Sequence, residues 1–306
     1  MNGKKRILLT GATGYIGSEL LKELMINEQY EVAVVVRDSN KKQEFLDKNL
    51  VVVVYSAHDL EQFEFNIRQF NPNIVIHLAA YSTSADDSTA ITQLIESNII
   101  FTSHLLVALI HCNVKLFINT GSFSEYHFSR EYRSPTYFYS ATKSSAHYMI
   151  EYFAKKDNFL YINAILYTVY GKKGKTKKII DYALESLNAI EPIAMSDGFQ
   201  KFDFIHIKDV VHFYIKVIEN FQNFRTSQID YDVGTGQCIS IREMVKILEL
   251  ITDKKANIKW GIYKNRSVDT LEACAQITLT KKELDYETTI SLEDGLKQYL
   301  LEREKL

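Results

Sequence analysis

Arg6-Ile7-Leu8-Leu9-Thr10-Gly11-Ala12-Thr13-Gly14-Tyr15-Ile16-Gly17 carries an apolar run straight into three glycines at three-residue spacing, and Ser18-Glu19-Leu20-Leu21-Lys22 then opens a helical pattern. A strand, a glycine turn and a helix in that order form the context in which such glycines bind a dinucleotide. Gly11 allows the tight turn, Gly14 lets backbone approach a diphosphate, and Gly17 lets the helix pack on the sheet. The helix N-terminus offers free N–H groups and a partial positive charge to the phosphates.

Outward from this loop, short apolar runs alternate with longer helical stretches. Strands are predicted at Arg6–Leu9, Glu31–Val36, Leu50–Val54, Asn73–Leu78, Lys115–Asn119 and Leu160–Leu166. Their continuous apolarity suits parallel strands covered on both faces. Helices are predicted between them at Tyr15–Ile26, Leu60–Phe70, Ser88–His111 and Tyr139–Lys156. This rhythm predicts α/β architecture, a Rossmann-type doubly wound parallel sheet. After Tyr170 comes a basic, glycine-spaced loop, Gly171 to Lys175, then helices near Ile179–Leu187, Lys208–Phe221, Ile241–Thr252 and Ser291–Leu301. The expected organisation is a dinucleotide-binding domain over 1–170 and a smaller, partly interleaved α/β substrate-binding lobe over 171–306.

The end of the second strand bears on the cofactor. A carboxylate there suits a ribose 2′-hydroxyl and an arginine a 2′-phosphate. The strand ends Val36-Arg37-Asp38-Ser39, with Lys41 close by, so Arg37 points to NADPH. A one-residue shift would place Asp38 on the ribose and favour NADH. Asp59, ahead of Leu60, reads either as a ligand for the adenine amino group or as a helix N-cap.

Tyr139 and Lys143 lie four residues apart on a predicted helix, so they share a face. A nearby cation favours the ionised phenol and brings it toward acid/base chemistry. In a chain with 19 tyrosines the spacing alone is weak; its weight comes from the glycine loop upstream.

With 36 basic against 38 acidic residues, the formal charge of −2 points to neither a nucleic-acid nor a membrane partner. Cys112, Cys238 and Cys274 show no metal-ligand spacing, and reduced thiols in a cytoplasmic protein are expected. The basic N-terminus precedes only three apolar residues, too few for a signal-peptide core, and no run approaches a membrane span. His77, His104, His111 and His206 show no metal spacing either, and Trp260 reads as a strand packing residue.

The order of these motifs resembles the extended short-chain dehydrogenase/reductase family (NAD-dependent epimerases and dehydratases), whose members mostly act on nucleotide sugars. Further matches are His77-Leu78-Ala79-Ala80, Thr120-Gly121-Ser122, Val169-Tyr170-Gly171, Asp203-Phe204-Ile205-His206-Ile207-Lys208-Asp209 and Val233-Gly234-Thr235-Gly236. The resemblance implies cofactor contacts at Gly11, Thr13, Gly14, Tyr15, Ile16, Gly17, Arg37, Asp59, Leu60, Leu78, Ala79, Ala80, Thr120, Tyr139 and Lys143. It also implies a catalytic hydroxyl four residues before a tyrosine, which Ser122 and Tyr126 satisfy; Ser124 is the rival. In the implied roles, Ser122 binds the substrate C4 oxygen, Tyr139 exchanges its proton, and Lys143 holds the nicotinamide ribose and lowers the tyrosine pKa. An inward-facing Asn98 is expected beside the site, and a homodimer is expected through the helices Ser88–His111 and Tyr139–Lys156.

The 4,6-dehydratases of this family carry an Asp-Glu pair after the catalytic hydroxyl; Phe123-Ser124 stands there instead, with Glu125 one position late. Epimerases retain NAD and favour an acidic second-strand end, which Arg37 is not. A reductase that also epimerises at C3 and C5 needs a Cys/His pair that is not evident. What remains is an NADPH-dependent 4-ketoreductase. Leu166 to Gly171 and Ala194-Met195-Ser196-Asp197-Gly198-Phe199-Gln200 with Asp203-Phe204 resemble the CDP-abequose and CDP-paratose synthase-like branch, which acts on CDP-4-keto-3,6-dideoxyhexoses for surface polysaccharide. That resemblance implies substrate contacts at Tyr81, Ser122, Phe123, Ser124, Thr168, Lys177, Lys178 and Arg266. Lys177 and Lys178 read equally as an exposed helix start, and Phe202 replaces the family's usual arginine before Asp203. A 4-epimerase and a non-catalytic NADP-binding regulator are the competing readings.

Overall fold

The computed structural model describes residues 4–37, 44–46, 50–127, 130–223, 229–264 and 269–304. The chain divides into two compact units, Met1–Ile165 with Val217–Tyr231, and Leu166–Lys216 with Asp232–Leu306. The first unit therefore takes back a segment from the second half of the chain.

The first unit begins with β1 (Lys5–Thr10), α1 (Gly17–Ile26), β2 (Tyr30–Val36), β3 (Val51–Val54), α2 (Leu60–Phe70) and β4 (Ile74–His77). It continues with α3 (Ser88–Ile95), a π-helical turn (Glu96–Ile100), α4 (Phe101–Leu109), β5 (Leu116–Ser122), a 3-10 turn (Phe123–Glu125), α5 (Phe138–Asp157) and β6 (Leu160–Leu166). Later in the chain, β10 (Asp230–Val233) lies at the sheet edge, giving the order β10-β6-β5-β4-β1-β2-β3. The pairings of β1 with β2 and β4, β2 with β3, and β4 with β5 are parallel. Strand order reverses between β1 and β4, the switch point at which open α/β sheets bind ligands beyond their carboxyl ends.

Apolar side chains on both faces hold the sheet. Leu8, Val35, Phe63, Ile67, Val75, Phe101, Leu105, Phe117 and Ile150 form one buried cluster with Tyr161. Each such side chain contributes roughly 1.5–3 kcal/mol on leaving water. Left-handed Asn71 and Asn158 end α2 and α5, a conformation that asparagine tolerates and that stops a helix. The helix expected over Ser88–His111 runs without a gap from Ser88 to Leu109, with a π turn inserted at Glu96–Ile100, where an extra residue widens the turn.

The second unit contains β7 (Thr168–Tyr170), α6 (Ile179–Ser186), β8 (Ile193–Ala194), β9 (Lys201–His206) and the start of α7 (Ile207–Asn220). Then come β11 (Cys238–Ser240), α8 (Ile241–Thr252), β12 (Ile258–Lys259), β13 (Glu272–Ala273), α9 (Thr278–Leu284) and α10 (Leu292–Glu304). β9 is the hub of a four-stranded sheet, pairing with β7, β11 and β13. Its buried Asp203 carboxylate accepts the N–H groups of Thr235 and Gly236, each at 2.8 Å, and the Thr235 hydroxyl at 2.7 Å, which fixes the Gly234–Gly236 turn. Asp209 likewise accepts the N–H and hydroxyl of Thr289. Trp260 follows β12 in a turn rather than lying in a strand, and the Arg242 guanidinium sits 4.7 Å from both its ring and that of Phe199.

Cys238 and Cys274 are joined as a disulfide with Cα atoms 5.3 Å apart. This corrects the expectation of three reduced thiols. Cys238 starts β11 and Cys274 directly follows β13, two strands that both pair with β9, so the bond joins residues 36 positions apart that no spacing rule connects. Only Cys112 is a free thiol. No helix among the described residues is long and apolar enough to cross a membrane.

Candidate active site

The glycine loop closes as its sequence implies. The Gly14 N–H donates to the Gly11 carbonyl at 2.8 Å, and Gly11 adopts a left-handed φ of +73°. A Cβ on Gly17 would lie 2.2 Å from the Gly11 oxygen, so only glycine lets α1 approach β1 this closely. A Cβ on Gly11 would meet the Ala79 backbone nitrogen at 2.7 Å, placing the loop against the end of β4. No side chain caps the N-terminus of α1, and Thr13 and Gly14 are exposed. These are features a diphosphate cradle requires, so the residues fit a dinucleotide.

A hydrogen-bonded chain braces that cradle. Thr10 Oγ1 accepts the Ala79 N–H at 3.1 Å and meets His77 Nδ1 at 2.9 Å. His77 Nε2 meets Thr102 Oγ1 at 3.0 Å, and Thr102 donates to the Asn98 carbonyl at 2.8 Å. Because Thr102 spends its proton on Asn98, it must accept from His77 Nε2, which leaves Nδ1 to accept from Thr10. His77 is therefore the neutral Nε2–H tautomer, and burial, then the Lys143 charge, pushes its pKa down to about 3.

The π turn faces Asn98 inward, as expected. Its side chain accepts the Tyr81 N–H at 2.8 Å and donates to the Tyr81 carbonyl at 3.0 Å and to Thr142 at 2.9 Å. The segment after β4 is thereby fastened to α5. Arg37, exposed at the end of β2, donates to the Ser97 hydroxyl at 2.9 Å on the same turn. Asp59 caps α2 by accepting the Gln62 N–H at 3.2 Å, consistent with its N-cap reading.

Tyr139 and Lys143 stand on the first two turns of α5, and Lys143 is buried. Burial brings the Lys143 pKa down to about 8, with Glu125 opposing. Tyr139 keeps part of its surface in solvent, yet burial first and Glu125 second push its hydroxyl up to about 12. A hydrogen bond with the Ser82 side chain works downward. The expected lowering of the tyrosine is thus not what the chain itself produces, because desolvating a phenolate beside a carboxylate costs more than neighbouring donors return.

Ser122, half-buried at the end of β5, caps the 3-10 turn. Its hydroxyl lies 2.8 Å from that of Ser124, which in turn receives the Ser140 hydroxyl at 2.7 Å. Ser124 is buried and engaged on both sides, so of the two serines only Ser122 keeps solvent access. Glu125, wholly buried, accepts the Ser122 N–H at 2.8 Å, the Ser144 hydroxyl at 3.1 Å and Arg133 Nε at 3.4 Å. Arg133 also clamps Asp230, both oxygens at 2.9 Å, and Asp230 accepts from Tyr126 and from Asn163. Sequence reasoning missed Ser82, Ser140 and this carboxylate network; the one available signal was Glu125 itself, an acidic residue directly after the two candidate serines.

The remaining expected substrate contacts belong to the second unit. There Thr168 pairs with Phe204 in the sheet. The exposed Lys177 ammonium pairs with Glu185 at 2.8 Å, and Lys178 donates to the Val169 carbonyl at 2.8 Å. Burial lowers the Lys178 pKa to about 8. Arg266 lies outside the described residues, as do Asp38, Ser39 and Lys41.

Residues 7–234 match the model of the NAD dependent epimerase/dehydratase family. The chain belongs to this family. It is 28% identical over 305 residues to a CDP-abequose synthase of Salmonella muenchen, covering 98% of each chain. It is 25% identical to a UDP-glucose 4-epimerase of Drosophila melanogaster, covering 92% of this chain and 91% of the other. A solved UDP-glucose 4-epimerase of Thermotoga maritima, bound to UDP-glucose, superposes with a TM-score of 0.84 at 26% identity, over 98% of this chain and 99% of that one. The protein is thus a nicotinamide-dinucleotide-dependent enzyme of nucleotide-sugar metabolism with an α/β Rossmann fold.

Proposed function

We propose that this enzyme uses NADPH to reduce the C4 ketone of a nucleotide-linked 4-keto-deoxyhexose. The substrate we assign is CDP-4-keto-3,6-dideoxyglucose, and the product a CDP-abequose- or CDP-paratose-like sugar for surface polysaccharide. The nicotinamide supplies the hydride. Tyr139, protonated because its hydroxyl is pushed up to about 12, gives its proton to the C4 oxygen. Ser122 donates a hydrogen bond to that oxygen as charge develops on it. Lys143 holds the ribose and, below about pH 8, adds a positive charge that favours proton release from Tyr139.

Arg37 carries the reductase reading. Its guanidinium stands at the end of β2, held by Ser97, where a 2′-phosphate is recognised. The similarity to CDP-abequose synthases supports the substrate. The test is NADPH oxidation against a panel of CDP-, dTDP- and GDP-linked 4-keto sugars, followed by NMR of the product. Arg37→Ser is expected to weaken NADPH at least tenfold relative to NADH; an unchanged preference removes the assignment. The similarity to UDP-glucose 4-epimerases supports a second reading, an NAD-dependent 4-epimerase, which requires tightly bound NAD and no NADPH consumption.

The assembly we assign is a homodimer. Ser103, Leu106, Val107, Tyr148, Met149, Tyr152 and Phe153 line an apolar depression on α4 and α5, and Tyr148 and Tyr152 are exposed. A patch shared by two helices is suited to a twofold contact. Tyr152→Glu is expected to yield monomers in analytical ultracentrifugation.

A further inference from the structure

Three serine hydroxyls lie in sequence beside the candidate catalytic tyrosine. Ser140, fully buried on the first turn of α5, donates to Ser124 Oγ at 2.7 Å. Ser124 Oγ is 2.8 Å from Ser122 Oγ, and the Ser124 N–H also points to Ser122 Oγ at 3.3 Å. A hydroxyl has one proton and two lone pairs. If Ser122 donated to Ser124, Ser124 Oγ would accept twice and its own proton would have no acceptor among the described residues. Proteins avoid leaving a buried donor in that state. If Ser124 donates to Ser122, every buried proton is used. Ser122 Oγ then accepts from both the Ser124 hydroxyl and the Ser124 N–H, while Glu125 takes the Ser122 N–H at 2.8 Å.

We propose that Ser124 and Ser140 are positioning residues, forming a one-way chain Ser140 → Ser124 → Ser122 that leaves the Ser122 proton directed at the substrate oxygen. The proposal rests on the reading above in which Ser122 meets the C4 oxygen. Linked hydroxyls polarise one another, so each donor in the chain strengthens the next. A donor already aimed at the developing oxyanion costs no reorganisation during the reaction. The protein thereby sets which end of the Ser122 hydroxyl meets the substrate, a choice that the side chain's rotation would otherwise leave open.

Neutron diffraction from deuterium-exchanged crystals of the full chain tests the direction without reference to activity. Deuterium on Ser124 lying on the line to Ser122 Oγ is expected; deuterium on Ser122 pointing to Ser124 overturns the chain. Kinetics with CDP-4-keto-3,6-dideoxyglucose and NADPH test its use. Ser124→Ala is expected to lower kcat by about tenfold, the effect of roughly one weakened hydrogen bond in the transition state, with KM for NADPH unchanged. Ser140→Ala should have a smaller effect, and the double variant should match Ser124→Ala alone, since Ser140 acts only through Ser124. Additive losses, or a fully active Ser124→Ala beside an inactive Ser122→Ala, overturn the proposal. Should Ser124→Ala fail to fold, Ser124→Thr restores the hydroxyl, and Ser140→Ala, at a helical position that favours alanine, carries the comparison. A wild-type protein inert toward this sugar removes the function assigned above, while the neutron result still decides the direction of the chain.

Discussion

The Glu125 carboxylate, with no solvent exposure, accepts the backbone N–H of Ser122 at 2.8 Å. One side chain thus fixes the backbone of the candidate oxygen-binding residue and places a negative charge near Tyr139 and Lys143, which adds to the rise at Tyr139 and opposes the burial that brings Lys143 down to about 8. Burial raises the pKa of Glu125 itself, with Arg133 the main opposing influence.

Glu125→Gln and Glu125→Ala separate those two effects. Gln keeps an oxygen for the Ser122 N–H, so it should retain most of its activity. Ala strands that N–H and takes the acceptor from Arg133 Nε, which keeps only its Asp230 partner, and about 1–3 kcal/mol of stability should be lost. Urea denaturation measures the difference; equal stability of the two variants would show that the contact is inconsequential.

Activity should fall as pH rises through about 8, where buried Lys143 loses its proton. The folded-state value lies below the ordinary 10.5, so the folded chain binds fewer protons between those limits and stability should rise with pH over the same window. The rate and the stability therefore move in opposite directions. Removing the Glu125 charge lowers Lys143 further, so Glu125→Gln should move the falling limb of the kcat profile to lower pH. A limb unmoved by that change would separate it from Lys143.

Gly17→Ala should damage both fold and cofactor binding. The added methyl would lie 2.2 Å from the Gly11 carbonyl oxygen, so β1 and α1 must part. Overpacking of this kind costs about 1–3 kcal/mol, and spreading the loop should weaken NADPH by tenfold or more in a fluorescence titration.

Reduction should destabilise the second unit. Closing a 36-residue separation with Cys238–Cys274 contributes about 3–4 kcal/mol in the chain-entropy account. Dithiothreitol should lower the thermal midpoint, and Cys238→Ser should start at the lower value and ignore the reductant. Cys112, whose pKa burial raises to about 11, should react slowly with thiol reagents in the native protein.

Much of the first unit was legible because its signals are local. Continuous apolar runs marked the strands, and Leu60–Phe70 and Leu160–Leu166 were located to the residue. The π turn at Glu96–Ile100 was not legible, since one extra residue leaves an apolar helix pattern almost unchanged. Arg37 directly follows the end of β2, a position the run of valines makes legible, but its Ser97 partner is 60 residues away.

The sequence by itself determined the alternating α/β frame, the glycine turn and the shared helical face of Tyr139 and Lys143, because dihedral preference and periodicity act over a few residues. Only the tertiary structure decided that Arg133 bridges Glu125 and Asp230, that Ser140 feeds Ser124, that Cys238 meets Cys274, and that Tyr139 is pushed up rather than down. Those outcomes depend on which buried polar groups packing brings within hydrogen-bond reach and how far it removes them from water, and neither quantity is carried by any local stretch of the chain.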